Sequence, residues 1–146
     1  MLRLDCTTTP EQIRDIADRV LAVAVERGAE QLYQSRILLA LDEVLTNIRV
    51  YAYPDGPGPV QIEILSPGGD DDAVLHVRIT DWGPPFDPLS DAALPTSLED
   101  DLDIRPIGGL GLHLVRTLVH GLTYSREQEA PPSGGSNRLS VRFALR

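Results

Sequence analysis

Glu43 and Asn47 stand four residues apart in a stretch of helical periodicity, so their side chains share one face. That face points away from the apolar stripe of Leu41, Leu45 and Ile48, and its flanks, Leu39, Ala40 and Val50, are apolar. A carboxylate in such a frame can take a proton or orient a water. An amide oxygen can ligate Mg2+, a hard cation that prefers oxygen. A plain solvated helix face would place the same pair in the same way. A second constellation is Asp81-Trp82-Gly83-Pro84-Pro85-Phe86-Asp87. By strand alternation Asp81 falls on the face of Leu75, Val77 and Ile79, where a carboxylate needs a donor. The amino group of adenine is such a donor and would select adenine over guanine; Gly83 then lets the backbone pass close to a ring. The alternative is a strand ending in a turn whose amides satisfy Asp81.

Gly108-Gly109-Leu110-Gly111 opens a helix. Glycines free backbone N–H groups to approach phosphate oxygens, and the helix N-terminus adds partial positive charge; a flexible helix entry would look the same. The spacing is not that of a dinucleotide-binding G-x-G-x-x-G, and no strand directly precedes it. Arg105 is the only cation between Asp81 and Arg116, amid Asp87, Asp91, Glu99, Asp100, Asp101 and Asp103. It can clamp a phosphate bidentately or pair with its acidic neighbours. His76, His113 and His120 make no zinc-ligand spacing with the single cysteine, Cys6, and no Ser/His/Asp set stands out.

Composition removes other chemistries. All 13 cations are arginine, so a P-loop, which needs its lysine, and any catalytic lysine are excluded. The net charge of -9 disfavours nucleic-acid binding, which needs a positive footprint. No apolar run approaches the ~18 residues of a membrane span, and Met1–Asp5 has no leader-like apolar stretch. A cytoplasmic protein in contact with neither membrane nor nucleic acid is expected, and the lone cysteine suits a reducing compartment.

These residues must be held by a scaffold that the periodicity outlines. Leu2–Cys6 suits a short strand. Thr9-Pro10-Glu11-Gln12 opens a helix with an N-cap, a first-turn proline and a capping box. Ile13, Ile16, Ala17, Val20, Leu21 and Ala24 follow at helical spacing, and Gly28 ends it. A second helix is predicted from about Glu30 to Tyr53, with Ile37, Leu38, Leu41, Leu45, Ile48 and Ala52 as its main stripe; Pro54–Pro59 breaks it. Val60–Ile64 alternates like a strand with one wet face, and Val74–Asp81 is the next strand, after a turn over Ser66–Asp72. Residues 84–107 read as a long loop. A helix from Leu112 to about His120 and strands over Leu122–Gln128 and Asn137–Leu145 close the chain, with a Pro- and Gly-rich turn at 131–135. The order predicts one α/β (α+β) domain over residues 1–146: a two-layer sandwich whose mixed, mostly antiparallel sheet is covered by helices.

Taken together and in this order, the motifs resemble the GHKL (Bergerat-fold) ATPase and kinase superfamily. Its N box is matched by EVLTNIRVYAY from Glu43, its aspartate-glycine box by DWGPPFDP from Asp81, and the end of its lid by RPIGGLGLHLV from Arg105. The compact D-x-G-x-P-F-D-P form, the short lid at about 84–107 and a terminal N-R-L-x-V strand from Asn137 are most similar to bacterial anti-sigma-factor serine/threonine kinases. The resemblance covers roughly residues 10–145. It implies that Glu43 is the general base, that Asn47 ligates the Mg2+ bridging the phosphates, and that Asp81 bonds adenine with Gly83 beside the ring. Gly109 and Gly111, with Gly108 adjoining, would cradle phosphates, and Arg105 would reach the triphosphate. The implied activity is Mg-ATP-dependent transfer of the γ-phosphoryl group to a serine or threonine of a small anti-sigma-factor antagonist, in a partner-switching system where a sigma factor is a second partner. A homodimer is compatible with the resemblance. Two positions depart from the family pattern: Tyr51 stands where relatives often have histidine, and Trp82 where asparagine is common. A non-catalytic ATP-binding module that sequesters a protein partner is the competing expectation; retention of Glu43 favours catalysis. The catalytic half of a histidine kinase ranks below both, since no dimerising hairpin with an acceptor histidine precedes residue 10.

Overall fold

The computed structural model describes residues 1–65, 72–86, 109–128 and 134–146. Five strands, β1 (Leu2–Thr7), β2 (Pro59–Ile64), β3 (Val74–Asp81), β4 (Gly121–Glu127) and β5 (Ser136–Ala144), form one sheet in the order β1-β2-β3-β5-β4. Every pairing among the described residues is antiparallel, in line with the mostly antiparallel sheet expected from the sequence. Two of its pairings, β2–β3 and β4–β5, join strands adjacent in the chain, which short connections link most readily in the antiparallel sense.

Helices α1 (Pro10–Glu26), α2 (Gln31–Asn47) and α3 (Gly109–Leu118) supply the second layer, and α2 packs against both of the others. At the start of α1, Thr9 accepts a hydrogen bond from Gln12 N at 3.2 Å, as an N-cap should. The Gln12 side chain accepts from Thr7 N at 2.7 Å rather than from Thr9 N, so the predicted capping box closes two residues further out. Gly28, with φ of 90°, ends α1 in the left-handed region where glycine has no Cβ penalty.

The second helix departs from its expected course. Regular α-helix stops at Asn47, and Ile48–Ala52 forms a π-helical turn. Such a turn adds a residue per loop of backbone and is frequent at functional sites. It rotates Tyr51 and Ala52 toward the end of the sheet, where both line a cavity. α3 begins at Gly109, three residues before the expected start, so Gly109 and Gly111 lie within its first turn.

The core lies between the layers. Leu4, Ile62, Ile79, Leu139 and Tyr124 run across the sheet in register, and Leu2, Ile64, Val77, Val141 and Leu122 form a parallel row. Val20, Ile37, Leu41, Leu45 and Val115 pack onto these rows from the helices. A third row, Cys6–Val60–Asp81–Asn137–Arg126, continues the core face but turns polar from β3 onward. The candidate site side chains Asp81 and Asn137 therefore stand where the apolar core ends.

The opposite face of the sheet carries Arg3, Glu63, Arg78, Ser140 and Thr123 in register. The wet face expected for Glu63 is corrected here: it is only 8% exposed. Arg78, its β3 partner, donates from Nε to Oε1 at 3.0 Å and from Nη2 to Oε2 at 3.3 Å. This bidentate pair holds the Glu63 carboxyl below its ordinary range, with burial opposing and the Arg138 and Arg3 charges assisting.

Candidate active site

The polar row is built around Asp81, the last residue of β3 and only 7% exposed. Alternation placed it on the core face, and it is there. Its Oδ1 accepts from Gly83 N at 3.0 Å and from Asn137 Nδ2 at 2.9 Å. Burial pushes its carboxyl above the ordinary value, while these two donors and the nearby Arg126 charge work against that rise. Oδ2 has no protein partner among the described residues, and Asp81 lines the cavity at the sheet's end.

The turn after β3 is tied down on three sides. Arg126 Nη1 donates to Gly83 O at 2.7 Å, and Asn137 Nδ2 donates to Pro84 O at 2.9 Å. Tyr53 OH, just after the π-helical turn, accepts from Trp82 N at 2.9 Å and donates to Pro59 O at 2.7 Å. A Cβ on Gly83 would fall 2.4 Å from Ala52 Cβ and 2.6 Å from its Cα, so only glycine permits this approach. The departure at Tyr51 has a structural use: its ring stacks on Phe86, with centroids 4.8 Å apart and planes 11° off parallel.

Asn47 closes α2 on the cavity wall and is 4% exposed. Its Nδ2 donates to Glu43 O at 2.7 Å, which leaves Oδ1 buried with no hydrogen-bond partner. A native protein rarely leaves an amide oxygen in that condition without a use. An oxygen-seeking cation fits it. Among the described residues no group of three or more His, Cys, Asp and Glu side chains could hold a metal ion. A cation at Asn47 would thus take most of its ligands from phosphate and water, as Mg2+ ordinarily does.

Glu43 lies one turn earlier and is half-buried. Burial, and then the charge of Asp42, push its carboxyl above the ordinary value. A raised pKa moves a carboxylate toward the range useful in a general base. Glu43 and Asn47 stand four residues apart on α2, as their spacing requires, but differ in burial. Asn47 belongs to the buried flank with Ala40 and Val44, whereas Glu43 reaches solvent.

The cavity between these groups is lined by Val44, Asn47, Tyr51, Asp81, Phe86 and Asn137, among others, and holds about 40 Å³. That is room for about three waters, well below the ~300 Å³ at which ligand pockets begin. A purine can enter only if part of the wall moves. Phe86 closes one side of that wall, where its N donates to Asn137 Oδ1 at 3.4 Å and its ring stacks on Tyr51.

Asp81 and Asn47 therefore meet at one cavity wall, and Gly83 adjoins it through its hydrogen bond to Asp81 Oδ1. Gly109 and Gly111 open α3, whose first-turn amides have no intrahelical partners and suit an anion. Arg105, Gly108 and residues 87–107 of the expected lid lie outside the described residues. Two contributors had no role assigned from the sequence. Asn137 was legible only as the start of an N-R-L-x-V strand, though it too is a polar residue on a core face. Tyr53 carries no comparable signal, because its partner Trp82 is 29 residues away.

Comparison with known proteins follows the same lines. The family model of the histidine kinase-like ATPase domain matches residues 6–142. The serine/threonine-protein kinase BtrW of Bordetella bronchiseptica is 36% identical over 90 residues, which are 62% of this chain and 60% of BtrW. The chain thus aligns with about three fifths of the length of that relative. Among solved structures, the mycobacterial sensor histidine kinase MprB superposes with a TM-score of 0.54 at 18% identity, covering 99% of both chains. A chain of the SiaB–SiaC complex from Pseudomonas aeruginosa superposes with a TM-score of 0.59 at 17% identity, covering 99% of this chain and 90% of that one. At those identities the two structures establish a shared fold.

Proposed function

This chain belongs to the histidine kinase-like ATPase domain family, and on that premise we propose that it binds Mg-ATP and transfers the γ-phosphoryl group to a serine or threonine of a partner protein. One observation carries the reading: a single cavity wall presents an Asp81 oxygen with no partner among the described residues at the strand end and an orphaned Asn47 oxygen at the helix end. The first suits the amino group of a purine, and the second suits a hard cation at the phosphates.

In this reading Asp81 accepts from the adenine amino group and Gly83 lets the turn lie against the ring. Gly109 and Gly111, with Gly108, offer backbone amides to phosphate oxygens, and Arg105 adds a cation from the 84–107 lid. Asn47 Oδ1 would hold Mg2+, which supplies charge neutralisation at the phosphates. Glu43 accepts the proton of the acceptor hydroxyl. That hydroxyl oxygen forms the new bond to the γ-phosphorus, the bond to the bridging oxygen breaks, and ADP leaves. Most of the rate in such a transfer comes from positioning and electrostatics, which suits a site with one weak base and several fixed dipoles.

The similarity to a serine/threonine-protein kinase supports the choice of a hydroxyl acceptor. The acceptor is a small antagonist protein of an anti-sigma-factor system, with a sigma factor as the partner exchanged. We place residues 1–146 in one such domain, in the cytoplasm; among the described residues no helix is long and apolar enough to cross a membrane. Incubation with γ-labelled ATP and a candidate antagonist tests the reading. Label should reach a serine or threonine of the antagonist and fall at least ~100-fold with Glu43→Gln, the scale of a lost general base. ATP binding without any transfer would overturn the kinase and leave a nucleotide-dependent partner-holding module.

A further inference from the structure

Asn137 begins the core-facing side of β5, directly across from Asp81. Every polar atom of its side chain is engaged. Nδ2 donates to Asp81 Oδ1 at 2.9 Å, to Pro84 O at 2.9 Å and, more distantly, to Gly83 O at 3.4 Å. Oδ1 accepts from Tyr124 OH at 2.5 Å and from Phe86 N at 3.4 Å. With acceptors grouped on one end and donors on the other, the amide has a single orientation. It is 6% exposed.

We propose that Asn137 is the positioning residue for nucleobase recognition: by engaging Asp81 Oδ1 it reserves Oδ2 for the adenine amino group and sets the discrimination against guanine. The proposal rests on the Mg-ATP reading above. An ionised carboxylate can only accept. It therefore welcomes the amino group of adenine and repels the carbonyl oxygen that guanine carries at the same ring position. A neutral carboxyl can also donate, so it would tolerate either base. What separates the two outcomes is whether Asp81 stays ionised in a buried place. The side chains that face it with charge or a titratable proton, among the described residues, are Arg126 from β4, Tyr53 after the π-helical turn, and Tyr124 behind Asn137. Arg126 acts at a distance and spends its Nη1 and Nη2 on Gly83 O and Gly134 O. Asn137 and Gly83 N are the two direct donors. Loss of Asn137 removes one of them and frees the 83–86 turn as well.

The test is calorimetric titration of Mg-ATP, with Mg-GTP measured by competition, at about pH 8 and about pH 5.5, both above the ordinary carboxylate range. The proteins are wild type, Asn137→Leu and Asn137→Thr, each checked by circular dichroism; Asn137→Ala replaces the leucine variant if that one does not fold. Wild type should bind ATP with an ATP-to-GTP ratio that is the same at both pH values. In Asn137→Leu the ratio should collapse by ~tenfold or more on acidification. Asn137→Thr returns a hydroxyl donor to the same face of β5, one bond short of the amide nitrogen, and should restore part of the constancy of the ratio. A leucine variant whose ratio is as pH-independent as that of wild type overturns the proposal, even if both nucleotides bind more weakly, because a merely structural role predicts that uniform loss. Folded wild-type protein that binds no ATP overturns the Mg-ATP reading and this proposal with it, an outcome distinct from a wild type that binds and a variant that shows no pH effect.

Discussion

Replacing Gly83 with alanine should damage both the fold and the site, by an amount the structure allows one to work out. The added Cβ would sit 2.4 Å from Ala52 Cβ, 2.6 Å from Ala52 Cα and 3.1 Å from its carbonyl oxygen. Ordinary carbon–carbon contact begins near ~3.5 Å, so the shortfall is about 1.1 Å. Nothing flexible is available to yield, since Ala52 belongs to the π-helical turn and two of the three atoms are backbone. The turn after β3 and the end of the second helix must part by about an ångström. Overpacking of that size costs ~1–3 kcal/mol. The movement also strains the bonds at Gly83, from its N to Asp81 Oδ1 and from Arg126 to its O, charge-assisted contacts worth ~1.5–3 kcal/mol apiece. A loss of about 3 kcal/mol is expected, hence a drop in Tm of roughly 6–12 °C for a domain of this size. ATP affinity should fall at least ~tenfold, because the displaced group is the carboxylate proposed to read the base. Thermal melts and calorimetry on Gly83→Ala measure both. Ala52→Gly in the same chain removes the nearest atom but leaves Cα at 2.6 Å, so it should recover only part of each loss. A Gly83→Ala protein with unchanged Tm and unchanged ATP affinity would refute the tight approach on which the site's geometry depends.

Two further outcomes can be stated. Asn47→Ala should keep its fold to within ~1 kcal/mol, having lost one hydrogen bond to its own helix, but should abolish the dependence of ATP affinity on Mg2+; titration with and without the metal checks it, and a retained Mg2+ effect removes Asn47 as the ligand. The Glu63–Arg78 pair should make the fold acid-sensitive. The folded carboxyl lies below its ordinary value of 4.5, so the pair's contribution is present above about pH 4.5 and is lost as pH falls through the lower folded value. Glu63→Gln should cost about 2 kcal/mol at neutral pH and flatten the decline of denaturant stability on the acid side; an unaltered acid limb would show that the pair is not its source.

How far the sequence leads to this site depends on the kind of order each residue needs. Asp81 was legible because a carboxylate on the apolar side of an alternating strand demands a donor, and alternation is local. The same signal lay at Asn137, but its meaning waited on register: only the β3–β5 pairing sets the two side chains opposite each other. Glu63 misled for a related reason, since alternation sends it to the outer face and only the cross-strand arginine explains its burial there. The π-helical turn left no mark, because Ile48 and Ala52 continue the apolar spacing of a regular helix while the backbone does not. Gly83 was expected to admit a ring; its nearest neighbour proves to be Ala52, a contact between distant segments that no window of sequence contains. The family resemblance supplied roles for Glu43, Asn47 and the glycines, and the orphaned Asn47 oxygen is the independent physical observation that suits one of them.

The central claim is that one wall of one cavity reads a purine through Asp81 while Asn47 serves the phosphates. Calorimetric titration of ATP into wild type and Asp81→Asn, with and without Mg2+, addresses it most directly. Wild type should bind ATP in a Mg2+-dependent manner. Asp81→Asn still offers an amide oxygen but turns a donor toward the base or toward Gly83 and Asn137, and it should lose ~tenfold or more in affinity while remaining folded. A folded wild-type protein that binds no ATP, or an Asp81→Asn protein that binds it equally well, would contradict the account.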